Sequence, residues 1–139
     1  FKNQLKIDFP SFPQEGKKFF LETKYKNLKS AEVFLKGKQV ILAKGKGNLV
    51  GFLVFRRVPG GVAICDWLWV DRNYRQQGIG RGLVKFWEDS FKKKGGHKLN
   101  VSTTNEDNLF FYQKLGFKLE GKREKNQWKA DFYLLGKLI

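Results

Sequence analysis

Methionine is absent from this chain, cysteine and histidine occur once each (Cys65 and His97), and there are three prolines. One cysteine excludes a disulfide framework and a cysteine-rich zinc site, and one histidine leaves a histidine-based metal centre short of ligands. No metal is therefore expected. Acidic residues are scarce too: 13 Asp and Glu stand against 28 Lys and Arg, a formal net charge of +15. No apolar run approaches the roughly 20 residues that cross a bilayer, and no signal-peptide pattern opens the chain. A cytoplasmic protein without membrane contact is expected. Against these shortages, 41% of the residues are hydrophobic, with 14 Phe and 4 Trp. That supply of apolar surface excludes a disordered tail, and 139 residues suffice for one domain around a single core.

The positive charge is spread over the first two thirds of the sequence and is not a detachable basic tail. Such a field attracts polyanions: nucleic acid, a phosphorylated cofactor, a ribosome. A lysine-rich composition that only keeps the chain soluble is the plainer alternative, so particular residues must decide the function.

Alternation of Leu5, Ile7 and Phe9 predicts a first strand, ended by Pro10 and Pro13, and residues 14–36 fit one or two short amphipathic helices. Strands follow over 39–44, 49–58 and 62–70, separated by a hairpin turn at Gly45-Lys46-Gly47-Asn48 and by Pro59-Gly60-Gly61. The third strand is apolar on both faces and is expected to be central and buried. From Gly78 to Lys94 the period becomes helical, with Ile79, Leu83, Phe86, Trp87 and Phe91 on one face, and Gly95-Gly96 stops the helix. Residues 98–103 alternate as a strand, which a right-handed crossover places parallel to 62–70. Asn105-Glu106-Asp107 opens another helix that stops at Gly116, and 117–125 and 129–138 read as a closing strand pair. The fold class is α+β, in a single domain over 1–139 with parts at 1–38, 39–104 and 105–139.

The richest stretch joins the strand at 62–70 to the following helix: Asp71-Arg72-Asn73-Tyr74-Arg75-Gln76-Gln77-Gly78-Ile79-Gly80-Arg81-Gly82. Glycines at the start of a helix let backbone N–H groups approach a ligand, the helix dipole adds positive potential, and Arg75 and Arg81 reinforce it. A pyrophosphate fits that description; a tight turn with no ligand is the alternative. The string Gly-x4-Gly-Lys-Ser/Thr of nucleotide hydrolases does not occur. Glycines at 78, 80 and 82 after an antiparallel meander do not make a dinucleotide fingerprint.

The segment resembles the central motif of the GNAT superfamily of N-acetyltransferases, Arg/Gln-x-x-Gly-x-Gly/Ala, through Arg75, Gly78 and Gly80. Leu68, Val70 and Arg75 match its lead-in, while Arg72 replaces the common proline and Gln76 a frequent glycine. A second block resembles the family's next helix through Asn105, Phe111, Tyr112, Lys114, Gly116 and Phe117, with Asn108 in place of Ala. The resemblance implies a mixed, mostly antiparallel sheet flanked by helices, with a splayed parallel pair formed by 62–70 and 98–103. It implies acetyl-CoA as co-substrate. Backbone groups of Leu68, Trp69 and Val70 would pair with its pantetheine arm. N–H groups from Gln76, Gln77, Gly78, Ile79, Gly80 and Arg81 would cradle the pyrophosphate beside Arg75, and Asn105 and Asn108 would lie along the pantetheine. Tyr112 would protonate the departing thiolate, and a backbone N–H near Trp69 or Val70 would stabilise the oxyanion.

Asp66 stands where many relatives carry a glutamate, on a strand face with Ile64 and Leu68. Apolar surroundings would raise its pKa and let it accept the amine's proton through water; a charge pointing into solvent is the alternative. Cys65, on the opposite face, is expected to be a buried structural thiol, and Trp67 and Trp69 to belong to the core. The expected activity is direct transfer of acetyl to a primary amine on a small molecule or a protein. The charge points to RNA or ribosome contact, including an aminoacyl-tRNA-directed, toxin-like acetyltransferase. A non-catalytic coenzyme A or RNA-binding module, another acyl donor such as succinyl-CoA, and a homodimer stay open.

Overall fold

Alternation, turn residues and two glycine stops are enough to lay out most of the chain. The structure is a computed structural model that describes residues 5–10 and 28–139, with the side chains of 28 and 30 outside the description. The described elements are β1 (Leu5–Asp8), α1 (Leu28–Leu35), β2 (Gln39–Gly45), β3 (Asn48–Val58), β4 (Val62–Val70), α2 (Ile79–Lys93), β5 (Lys98–Thr103), α3 (Glu106–Lys114), β6 (Lys118–Arg123) and β7 (Phe132–Leu138). Of the helical pattern expected over 14–36, the part at 28–35 is α1; the remainder up to 27 lies outside the described residues. The strand order is β1-β2-β3-β4-β5-β7-β6. β1 with β2, β2 with β3, β5 with β7 and β6 with β7 are antiparallel, and β4 with β5 is parallel. This is the mixed α+β sheet that the sequence predicts.

The chain divides into two compact units whose boundary falls inside β4, after Asp66. The first holds the described residues up to Arg56 together with Trp67–Trp87. Lys46 and Gly47, at φ 53° and 80°, form the two-residue turn that sets the β2–β3 register. On one face, Ala31, Val40, Leu42, Phe52 and Val54 form a buried cluster, with Phe34, Trp67 and Trp69 packed against it. Phe52 sits edge-on to Trp67 with centroids 4.9 Å apart, and stacks on Trp69 at 5.3 Å. Both tryptophans thus pack on the core while staying half-buried.

The second unit holds Arg57–Asp66 and Glu88–Ile139. Here α2 ends with Gly95 N–H on the Lys92 carbonyl and Gly96 N–H on the Phe91 carbonyl, both at 3.0 Å, the paired bonds of a glycine-terminated helix. Parallel pairing of β4 to β5 covers three rungs, Val62↔Lys98, Ala63↔Leu99 and Ile64↔Asn100. One expectation changes. β3 is the more buried strand, with Val50–Phe55 all buried, whereas in β4 only Ala63 and Cys65 are buried and Trp67–Val70 are half-buried. An apolar run shows what could be covered, not what the neighbouring elements do cover.

Candidate active site

The loop after β4 is fastened at both ends. Asp71 N–H donates to the Val50 carbonyl at 2.7 Å, anchoring the end of β4 to β3. The Asp71 carboxylate accepts the Asn73 N–H at 2.9 Å and caps the single 3-10 turn Arg72–Tyr74. A capping role for Asp71 is absent from the sequence reading, although an Asp two residues before an Asn at a strand end is the pattern of such a turn. Arg75 then returns to extended backbone, and its Nε donates to the Val70 carbonyl at 3.4 Å.

Gln76 and Gly78 adopt φ values of 63° and 80°. Left-handed residues interleaved with ordinary ones aim successive N–H groups toward one concavity, which is how main chain binds anions. A side chain on Gly78 would meet nothing within 4 Å. This glycine therefore serves backbone rotation and open approach, not packing. α2 begins at the next residue, and its first N–H groups have no acceptor inside the helix. Arg75, Gln76, Gln77, Gly78 and Arg81 are exposed, Gly80 is half-buried and Ile79 is buried. Gly82 differs: a Cβ there would lie 2.7 Å from Ile7 Cδ1, so its smallness admits β1. Leu68, Trp69 and Val70, the residues expected along the pantetheine, are half-buried in the last part of β4.

In the second unit, α3 is fixed at its start by a side chain. Asn105 Oδ1 accepts N–H bonds from Asp107 at 2.7 Å and Asn108 at 3.2 Å, the geometry of an N-cap. Its side-chain carbonyl oxygen is thereby committed to the helix. Asn108 is exposed in the first turn. The helix ends with Gly116 N–H on the Gln113 carbonyl and Phe117 N–H on the Tyr112 carbonyl, at 3.0 and 3.1 Å, with Gly116 at φ 96°. The same cap brings the Phe117 ring to 5.5 Å from the Tyr112 ring. The Tyr-x-Lys-x-Gly-Phe spacing is thus a helix terminator that locks its own tyrosine.

Tyr112 is 6% exposed, with Phe111 against its other side at 5.1 Å. Burial pushes its phenol well above the usual tyrosine value of 10.0, and the neighbouring Cys65 thiol adds to the rise. Desolvation disfavours the phenolate, and a second group that ionises to an anion disfavours it further. Tyr112 therefore stays protonated over the whole ordinary pH range. The sequence reading separates Cys65 from the chemistry; the structure places it, buried, within electrostatic reach of Tyr112. Strand parity gives only that Cys65 faces inward, and not which helix it meets.

Asp66 is exposed, between half-buried Ile64 two residues before it and half-buried Leu68 two residues after. The apolar enclosure expected around this carboxylate is not formed, because the two large neighbours flank it along the strand without covering it.

A glycine-containing helix start, a capped helix carrying a buried tyrosine and a mixed sheet with one parallel pair define an α+β class of protein. The chain belongs to the acetyltransferase (GNAT) family, whose family model matches residues 4–117. Over 70 residues it is 36% identical to the peptidyl-lysine N-acetyltransferase YjaB of Salmonella typhimurium. That match covers 50% of this chain and 46% of the relative, so about half of either protein. Among solved structures, a GNAT family acetyltransferase from Elizabethkingia anophelis with acetyl-CoA bound has a TM-score of 0.81 at 20% identity, covering 99% of both chains. The ribosomal-protein-S18-alanine N-acetyltransferase from Escherichia coli has a TM-score of 0.80 at 19% identity, covering 97% of this chain and 94% of that one. At these identities the likeness is one of fold. No helix among the described residues is long and apolar enough to cross a membrane.

Proposed function

We propose that the protein transfers an acetyl group from acetyl-CoA to the side-chain amine of a protein lysine, by direct attack with both substrates bound. The observation that carries this reading is the buried phenol of Tyr112, held protonated at neutral pH and seated in the second motif of a GNAT chain. The acceptor class follows the relative of stated peptidyl-lysine activity. The loop residues fit a diphosphate: a run of N–H donors from Gln76 to Arg81 in which Gln76, Gln77, Gly78 and Arg81 are exposed, two left-handed residues, and the guanidinium groups of Arg75 and Arg81. Holding Gln76 left-handed costs about 1–3 kcal/mol, a strain that a ligand-binding main chain accounts for. Leu68, Trp69 and Val70 would offer backbone groups to the pantetheine as an added strand does, and the Asn105 and Asn108 amides would lie beside it.

The chemistry asks little of side chains. A neutral amine forms a C–N bond to the acetyl carbonyl, backbone N–H near Trp69 or Val70 steadies the oxyanion, and the C–S bond breaks. Tyr112 gives its proton to the leaving thiolate. A phenol above 10 is a weaker acid than a thiol of about 8.5 in water, so Tyr112 gives up its proton only to a thiolate that has been stripped of water and made more basic. Asp66, solvated, takes the amine's proton through water.

The test is thiol release from acetyl-CoA in the presence of an Nα-blocked peptide with a single lysine. Release that depends on the peptide, with mass gain on the lysine, is expected; failure to bind acetyl-CoA at millimolar concentration would sink the reading.

A second reading, an acceptor carried by RNA or a ribosome, is favoured by one observation. The β6–β7 loop presents Trp128, 83% exposed, between Lys125 and Lys129 on a backbone where all three have positive φ. An exposed indole among cations suits stacked bases and phosphates. Salt-dependent RNA binding that weakens in Trp128→Ala would support it; no binding at low salt would remove it.

A further inference from the structure

On β5, Leu99, Val101 and Thr103 are buried, while Lys98, Asn100 and Ser102 occupy the other face. Asn100 is the last residue of β5 paired with β4, opposite Ile64, and its partner on β7 is Gly136. Side chains of paired residues point to the same side of a sheet and alternate along each strand. Asn100 therefore shares its face with Ile64 and with Asp66 two residues further along.

On its other side Glu120 lies over Gly136. A Cβ on Gly136 would meet the Glu120 carboxylate at 2.7 Å, and Glu120 is paired with Lys98 at 2.8 Å. Within this frame Asn100 Oδ1 is buried and has no hydrogen-bond partner. A buried carbonyl oxygen left in that condition forfeits its water without compensation. Native structures retain such groups where a ligand or an ordered water supplies the donor.

We infer that Asn100 Oδ1 accepts an N–H bond from the attacking amine and is an acceptor-binding residue of this enzyme. The inference rests on the proposed acetyl transfer and names where the amine sits. An amide oxygen suits the task because it accepts a bond without taking the proton. One N–H on Oδ1 fixes the rotation of the nitrogen, its lone pair forms the C–N bond, and its excess proton leaves through water toward Asp66 on the same face. The C–S electron pair goes to sulfur, which receives the Tyr112 proton. Water then takes the proton from Asp66 and returns one to the Tyr112 phenolate, and Asn100 ends the cycle unchanged.

The experiment titrates n-butylamine, a lysine side chain without its backbone, against the wild-type protein and Asn100→Leu, following the Asn100 side-chain NH₂ signals by NMR, with thermal melts of both. In the wild type the Asn100 signals shift on titration. In Asn100→Leu the Kd for butylamine rises about ten-fold, the Kd for acetyl-CoA stays put, and the melting temperature holds or rises, because an apolar group of like volume replaces an unsatisfied acceptor. Equal butylamine affinity in both proteins, no binding to the wild type, or a melting temperature lowered in the variant would each overturn the inference. A wild type that binds butylamine at Asn100 yet releases no thiol from acetyl-CoA with the lysine peptide keeps the amine site and defeats the transferase reading instead.

Discussion

Residues 75–81 and residues 105–117 both lead from a strand into or along a helix, and both belong to the motifs through which this chain resembles its family. They are built differently. The first is exposed, shaped by two left-handed residues, and offers main-chain N–H groups. The second is closed at each end by its own caps and offers one buried side chain. A site made of backbone tolerates side-chain change but not a change of φ. A site made of one phenol tolerates any backbone-neutral change except to that residue.

The sharpest break in the comparison comes from Tyr112→Phe. It keeps the ring contacts to Phe111 and Phe117 and removes only the proton donor, so kcat should fall about 100-fold, the lower range for a lost general acid. The Kd for acetyl-CoA should stay within a small factor, measured by calorimetry. In the loop the pattern should invert. Gly78→Val forces a β-branched residue into φ 80° at about 1–2 kcal/mol, so acetyl-CoA should bind about ten-fold more weakly, with kcat at saturation little changed.

Smaller effects sharpen the contrast. Asn105→Ala removes the α3 cap and should cost about 1 kcal/mol, read as a lower urea midpoint. Gln77→Ala, in the exposed loop, should leave that midpoint within about 0.5 kcal/mol of wild type. The weakest effect is on pH dependence. The folded Tyr112 value is raised, so the stability contributed by the protonated phenol is fully present below the unfolded value of about 10. It is lost as pH rises from there through the folded value. Wild type should therefore lose stability more steeply than Tyr112→Phe above about pH 10; parallel curves would show that the phenol is not desolvated.

Much of this was legible in the residues. The Gly45–Asn48 turn, the glycine stop at 95–96, the cap at Asn105 and the stop at Gly116 are local devices, and each forms where the sequence places it. The parallel direction of β5 against β4 followed from the handedness of the crossover. Three features were not legible. Asp66 looked enclosed by its strand neighbours and is solvated. Gly82 follows the expected anion loop with no role of its own in the sequence and is a packing glycine against Ile7. Asn100 reads as one polar residue in an alternating strand, and its unmet oxygen shows only once β5 is packed between β4 and β7.

The chain alone determined its element order, its caps and the family motifs, because those depend on periodicity and on φ preferences that act over a few residues. Which groups lose their water was decided only when distant segments met: Cys65 beside Tyr112, Glu120 over Gly136, Ile7 on Gly82. Desolvation is a property of the surroundings, and it is desolvation that keeps the Tyr112 proton in place and leaves the Asn100 oxygen waiting for a donor.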